Sequence, residues 1–333
     1  PDGTPVPMSV DDNEAPNHLS KNGQNYSNYF FTLAQSKLLK MPKLDGGRIF
    51  VSLGSPMYIK VNEDVNHQVG FAGPNVLNPT DPNIDVYFDW YEFTYNNIGL
   101  WLNNTQVDQF GFPLVEDVYG DNRTWHQRTG IVESRDAIMA AYAKEVPPEF
   151  MVTKPAPQRI MAPAKGSFDE GQVNGHYFDG YVNQVWDYYR SHTMRFTLGA
   201  QQFTAVTEGE ELVFTTVVPQ GSSEPAKVYR IGKPTTQEIL EGKGKLASGD
   251  STALQIQTRL CAGFNRHIME DPSIWDAHTA GWYASGPYNA YAKFWHDHSV
   301  DGKAYGFSYD DVSDQSSTIM APKPEHVVLG IGW

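Results

Sequence analysis

The stretch IDVYFDWYEFTY, residues 84–95, sets the fold class of this chain. It is rich in β-branched and aromatic residues and follows the turn cluster NPTDPN, which is the pattern of a strand. RIFVSL (48–53) and MYIKV (57–61) read the same way, bounded by the turn clusters GSP and AGPN, so the N-terminal part predicts a β barrel or sandwich. The tail returns to β with KAYGFSYDD (303–311) and HVVLGIGW (326–333). The middle is mixed. Ser134 caps a segment carrying Ile138, Met139 and Tyr142 that stops at Pro147 and Pro148. Tyr177, Phe178, Tyr181, Val182, Val185, Trp186 and Tyr189 recur at helical spacing, which predicts an amphipathic helix over 176–191 with an aromatic core face. A third helix runs from Asp250 or Ser251 through Leu254, Thr258, Cys261, Phe264 and Ile268. Strand patterns fill MRFTLGAQQFTAV (194–206), ELVFTTVV (211–218) and KVYRI (227–231), while PAPQRIMAPAKG (155–166) reads as a loose connection.

At 333 residues the chain is longer than one hydrophobic core usually serves. The expected architecture is mainly β with an α+β insertion. A β domain is built from 1–119 and 296–333, and a mixed α/β domain is inserted at 120–295. With 25 basic against 39 acidic residues the net charge is -14, which opposes binding to phosphate backbones and anionic membrane surfaces. Neither nucleic acid nor membrane is an expected partner. No run approaches the roughly 18 apolar residues of a membrane span, and the start lacks the basic and apolar regions of a signal peptide. An exported chain would therefore be present in its mature form. Cys261 is the single cysteine, so no internal disulfide forms, and its helical position predicts a core thiol. Charged residues make up only 19% against 13% aromatic, a balance that suits sugar stacking but that a large aromatic core also produces.

Four constellations could carry chemistry. Asp81, Asp85, Asp89 and Glu92 match no EF-hand spacing, and NPTDPN reads as an Asp-capped turn, so no metal is expected there. His296 and His298, with His267 and His278 upstream, lack a third zinc ligand and base at a recognisable spacing; hydrogen-bonded structural histidines are the expectation. No G-x-S-x-G string supports a serine nucleophile.

The fourth is the long strand itself. Side chains alternate along a strand, so Val86, Phe88, Trp90, Glu92, Thr94 and Asn96 share one face. An apolar row thus runs into an acid beside Trp90, where partial desolvation would favour a proton donor. Sixteen residues later comes Asp108 in TQVDQFGFP, near Trp101, Asn103 and Asn104. Two carboxylates on consecutive strands beside an exposed tryptophan can face each other across a sugar. Isolated acids in β segments are more often solvated or ion-paired, so the residues alone leave this open.

The segments GRIFVSLGSPMYIKVN, GFAGPNVLNPTDPNIDVYFDWYEFTYNNIGLW and NNTQVDQFGFPL, with QSSTIMAP near the end, resemble glycoside hydrolase family 64, the laminaripentaose-producing β-1,3-glucanases. The resemblance implies a thaumatin-like β barrel or sandwich plus a mixed α/β domain, with a wide groove between them for β-1,3-glucan. It implies Glu92 as general acid and Asp108 as general base of an inverting, endo-acting hydrolysis that releases mainly a pentasaccharide. Thr94, Asn96, Trp101 and Thr105 correspond to groove residues that bind substrate. No cofactor and no metal are implied, the partners are β-1,3-glucan and its oligosaccharides, and a secreted monomer is expected. A non-catalytic glucan-binding lectin of the same fold is the alternative. Trp101 and Thr105 have opposite parity to Asp108, so a bulge or turn must intervene if all three line one groove. Plant thaumatin-like proteins are rich in disulfides, whereas this chain must rely on packing.

Overall fold

The computed structural model describes residues 5–121, 124–154, 158–276 and 281–332. Its central element is strand Tyr87–Tyr95, which separates two apolar clusters. Alternation sends Val86, Phe88 and Trp90 to one side, against Met57 and Ile59. Tyr91 and Phe93 face the other side, with Leu100, Leu102, Phe112, Leu114 and Ile319. A strand buried on both faces explains why its sequence is apolar at both parities up to Phe93.

An antiparallel four-stranded sheet has the order Ile319–Ala321, Leu100–Asn104, Tyr87–Tyr95, Leu44–Leu53. A three-stranded sheet has the order Trp125–Gly130, Leu114–Gly120, Pro324–Ile331. Both ends of the chain thus share the same β layers. Strand Leu44–Leu53 carries a bulge between Leu44 and Gly47. Gly46 sits there at φ 68°, and a Cβ on Gly47 would come within 2.5 Å of the Phe93 ring, so this corner needs both glycines.

A third and larger core lies between Phe110 and Phe307 in sequence. Helix Arg135–Glu145 is capped by Ser134, whose Oγ accepts the Ala137 N–H. Helix Asp179–Ser191 buries Tyr181, Val182, Val185, Trp186 and Tyr189, the expected aromatic face. It packs on an antiparallel meander of strands Met194–Leu198, Gln201–Glu208, Glu211–Thr216 and Val228–Gly232. Helix Ser251–Arg266 is capped by Asp250 and buries Cys261, whose thiol donates to the Ile239 carbonyl and is pushed up by burial.

Three segments depart from the sequence reading. Residues 303–311 form turns instead of a strand, because the buried Asp310 carboxylate gathers the Gly306 N–H, Arg266 and His296 and folds the segment around itself. MYIKV becomes a strand only from Lys60, Met57 and Ile59 being core residues of the approach. The loose stretch contains strand Arg159–Met161, a 3₁₀ turn Pro163–Lys165 and the buried Arg159; residues 155–157 lie outside the described residues. Residue 119 falls within strand Leu114–Gly120 and residue 295 within helix Ala290–His298, so both expected domain boundaries cut regular elements.

Candidate active site

Strand pairing assembles the surroundings of Glu92. Residues directly opposite in an antiparallel pair point to the same face. Arg48 lies opposite Glu92 on one side and Asn103 on the other, while Trp101 lies opposite both Thr94 and Met320. Arg48, Glu92, Asn103, Thr94 and Trp101 therefore share one sheet face. Glu92 Oε1 accepts from Arg48 Nε at 3.1 Å, from Arg48 Nη2 at 3.0 Å and from Trp90 Nε1 at 3.2 Å. The guanidinium also stands 5.5 Å from the Trp90 ring centroid, so cation and indole brace each other as well as the carboxylate.

Asp108 is reached by a turn. Strand Leu100–Asn104 ends, Thr105 Oγ1 accepts the Val107 N–H at 3.2 Å, and Gln106 N donates to the Tyr305 carbonyl at 2.9 Å. This turn resolves the opposite parity of Trp101 and Thr105 relative to Asp108. Strand Gln109–Phe110 then pairs with Arg159–Met161, and the Asp108 carbonyl accepts the Ala162 N–H at 3.0 Å. The chain continues from Ala162 into Pro163–Lys165, which brings Lys165 Nζ to 2.8 Å from Asp108 Oδ1. Burial pulls the Lys165 ammonium down, but its bond to Asp108 and the charges of Asp108, Glu241 and Asp169 outweigh this and hold it above the usual value.

Two hollows meet at this pair. One, of about 250 Å³, is lined by Asp108 and Lys165 together with Leu240, Glu241, Asn289 and Ser308. The other, of about 350 Å³, is lined by Asp108 and Lys165 with Pro74, Leu77, Trp90 and Met161. Trp90 thus borders the second hollow and donates to Glu92. Tyr305 lies within the electrostatic reach of Glu92. Its hydroxyl is pushed up by burial and by the charges of Asp311, Asp310 and Glu92, and it donates to the carbonyl of Ser308 in the first hollow.

The remaining expected groove residues are also located. Thr94 Oγ1 accepts the Gly46 N–H at 3.0 Å, and Asn96 turns the hairpin, bonding Asp45 at 3.1 Å and accepting from Ile98 N at 2.9 Å. Trp101 is half-buried, whereas Thr105 is only 5% exposed, its hydroxyl committed to the turn before Asp108. Arg48 and Lys165 were not singled out in the sequence. Neither carboxylate has a basic neighbour within its own motif, yet each acquires one from a distant segment.

A buried polar group ties the two segments together. Asp89 Oδ2 accepts the Gly111 N–H at 2.8 Å, and Gln109 Nε2 donates to the Phe88 carbonyl at 3.0 Å. Arg159 donates to Gln109 Oε1 at 3.0 Å and to the Val86 carbonyl at 2.8 Å. The other constellations are structural. Asp81 caps its turn by accepting from Asn75 N and Asn83 N, both at 2.7 Å. His296 bonds Asp310 and Gly302, His298 bonds Glu133 and Glu145, and His267 bonds Pro287, all on or beside helices. His278 lies outside the described residues.

Comparison with known proteins follows the same lines. The glycoside hydrolase family 64 profile, described as β-1,3-glucanase, matches residues 1–331, and the chain belongs to this family. A glucan endo-1,3-β-glucosidase of Arthrobacter sp. (strain YCWD3) is 30% identical over 302 residues, 87% of this chain and 53% of its own length. The chain thus spans about half the length of that relative. A β-1,3-glucanase domain from Clostridium beijerinckii superposes with a TM-score of 0.89 at 41% identity, covering 98% of this chain and 87% of its own. A laminaripentaose-producing β-1,3-glucanase from Paenibacillus barengoltzii, solved with laminarihexaose, gives 0.76 at 35% identity over 100% of this chain and 66% of its own. With these relatives the chain shares a mainly β architecture of open sheets with few helices.

Proposed function

We propose that this protein is an extracellular, endo-acting β-1,3-glucanase that releases mainly a pentasaccharide by inversion, with Glu92 as general acid and Asp108 as general base. The observation that carries the reading is the pair of hollows meeting at Asp108, one of them bordered by the tryptophan that donates to Glu92. The family supports the reaction type, and the laminarihexaose complex of the Paenibacillus relative supports the ligand class. The groove is read as running between a thaumatin-like β part and the α/β part.

In the proposed step protonated Glu92 gives its proton to the glycosidic oxygen as that bond to the anomeric carbon breaks. Water attacks the same carbon from the opposite face while Asp108 takes one of its protons. With Oε1 of Glu92 held by Arg48 and Trp90, the transferable proton belongs on Oε2. Thr94, Asn96 and Trp101 extend the polar and aromatic lining, and Thr105 contributes by shaping the turn that presents Asp108.

Incubation with laminarin, followed by separation of the products, tests the activity; a dominant five-sugar product is expected. Glu92→Gln and Asp108→Asn keep shape but remove the ionisable group, so each should abolish most turnover while the fold and oligosaccharide binding persist. Proton NMR in the first minutes should show the α anomer before mutarotation. Glucan binding without any cleavage would point to a lectin instead, and initial β product would overturn inversion.

A further inference from the structure

Among the described residues, Lys165 is the sole side-chain partner of the Asp108 carboxylate. The two residues are also joined through the backbone. Ala162 N donates to the Asp108 carbonyl at 3.0 Å, and Lys165 N donates to the Ala162 carbonyl at 2.9 Å, closing the turn that carries the lysine. Pro163 and Ala164 are buried, so the root of the lysine is fixed relative to the root of the aspartate. Both side chains line both hollows, which puts their contact on the saddle a chain would cross in passing from one to the other.

We propose that Lys165 is a positioning residue for Asp108: its ammonium holds Oδ1 so that Oδ2 faces the attacking water. The proposal rests on reading Asp108 as the base. An aspartate in an exposed bend has two free torsions, and a base must hold its oxygen in line with the attack for the duration of the step. A single ion pair at 2.8 Å supplies that restraint without covering the second oxygen. The lysine keeps its charge for the reasons given above, and no proton passes through it.

The test compares Lys165→Met, Lys165→Arg, Asp108→Asn and the Lys165→Met/Asp108→Asn double variant, in the full chain, on a soluble laminari-oligosaccharide. Circular dichroism checks the fold of each. For Lys165→Met, kcat should fall roughly 10- to 100-fold, the scale of a misplaced catalytic group, with KM changed less than about 2-fold. Lys165→Arg should recover most of the loss, because it restores a cation at the same oxygen. The double variant should be no slower than Asp108→Asn alone, since a residue acting through Asp108 has nothing left to orient. Unchanged kcat in Lys165→Met would overturn the proposal, as would a raised KM at constant kcat, which marks a direct sugar contact, or a further loss in the double variant. Normal turnover in Asp108→Asn would remove the base assignment itself. Loss there with full activity in Lys165→Met removes only the role of the lysine.

Discussion

Replacing Asp89 by asparagine should change the pH dependence of stability more than stability itself. Asp89 precedes Glu92 on the same strand, is 3% exposed, and accepts the Trp90 N–H at 3.0 Å and the Gly111 N–H at 2.8 Å. Burial pushes its carboxyl from the ordinary 3.8 up to about 7, although the backbone N–H groups of Gly111, Trp90 and Phe112 and the charge of Arg159 pull the other way. A folded state that holds the proton more tightly than the unfolded chain gains stability that is complete below about 3.8 and is lost as pH rises through about 7. At about 1.4 kcal/mol per pH unit, that span corresponds to about 4 kcal/mol, more than half of it between pH 5 and pH 8. Asp89→Asn does not titrate, and its amide turns a donor toward a backbone donor, a pH-independent cost of about 1–3 kcal/mol. Relative to the parent, the variant should gain about 2–3 kcal/mol between pH 5 and pH 8 and should match or exceed it near pH 8. Urea midpoints of both proteins, read by tryptophan fluorescence across this range, measure the difference. Parallel curves would refute the reasoning, because they would mean that Arg159 and the N–H groups keep Asp89 ionised in the fold.

Three further outcomes follow from particular contacts. Trp101→Ala should weaken oligosaccharide binding by about 0.5–1.5 kcal/mol beyond the area lost, read by calorimetry; unchanged affinity with a lower melting temperature would make the ring purely structural. Asp310→Asn should cost about 3–5 kcal/mol in denaturant titrations, since it leaves the fully buried Arg266 guanidinium, now 3.1 Å from Oδ1, without its counter-charge. His296, pulled down by burial but held above its usual value by Asp310, adds stability that is present below about 6.5 and is lost as pH rises through its folded value. His296→Gln should therefore flatten that alkaline decline, and a loss of stability equal at all pH values would contradict the ion-pair account.

Local periodicity made part of this site legible. The alternation that groups Phe88, Trp90, Glu92 and Thr94 needs only one strand to be regular, and the strand is regular. The caps at Ser134 and Asp250 are likewise local chemistry, carried by a hydroxyl or carboxylate next to its own helix. Arg48 and Lys165 were hidden because register and turn geometry, which no short window encodes, decide which residues meet. Arg48 reaches Glu92 only through the register that pairs Leu44–Leu53 with Tyr87–Tyr95, and Lys165 reaches Asp108 only because Ile160 pairs with Phe110. Segment 303–311 failed for a related reason. Its apolar spacing suits a strand, but one buried carboxylate, bonded to Arg266 and His296 from elsewhere and to the Gly306 N–H of its own segment, outweighs that preference.

The same long-range contacts bear on how a chain with one cysteine fixes the segments of Glu92 and Asp108 relative to each other. In the proposed reaction Glu92 and Asp108 must keep their separation, and no internal disulfide can fix it in a chain whose single cysteine is Cys261. The strand of Glu92 and the segment of Asp108 are instead joined under the surface, by Asp89 to Gly111, by Gln109 to Phe88, and by Arg159 to Gln109 and Val86. Each contact draws on polar groups whose desolvation is costly, and an apolar core of equal volume would be as stable or more so. Apolar packing tolerates small slides, however, whereas a buried hydrogen bond is lost when its partners shift by a fraction of its length. A directional network placed between Glu92 and Asp108 therefore trades some folding free energy for a fixed spacing. Because it joins the two segments that carry Glu92 and Asp108, its spacing bears directly on the proposed reaction.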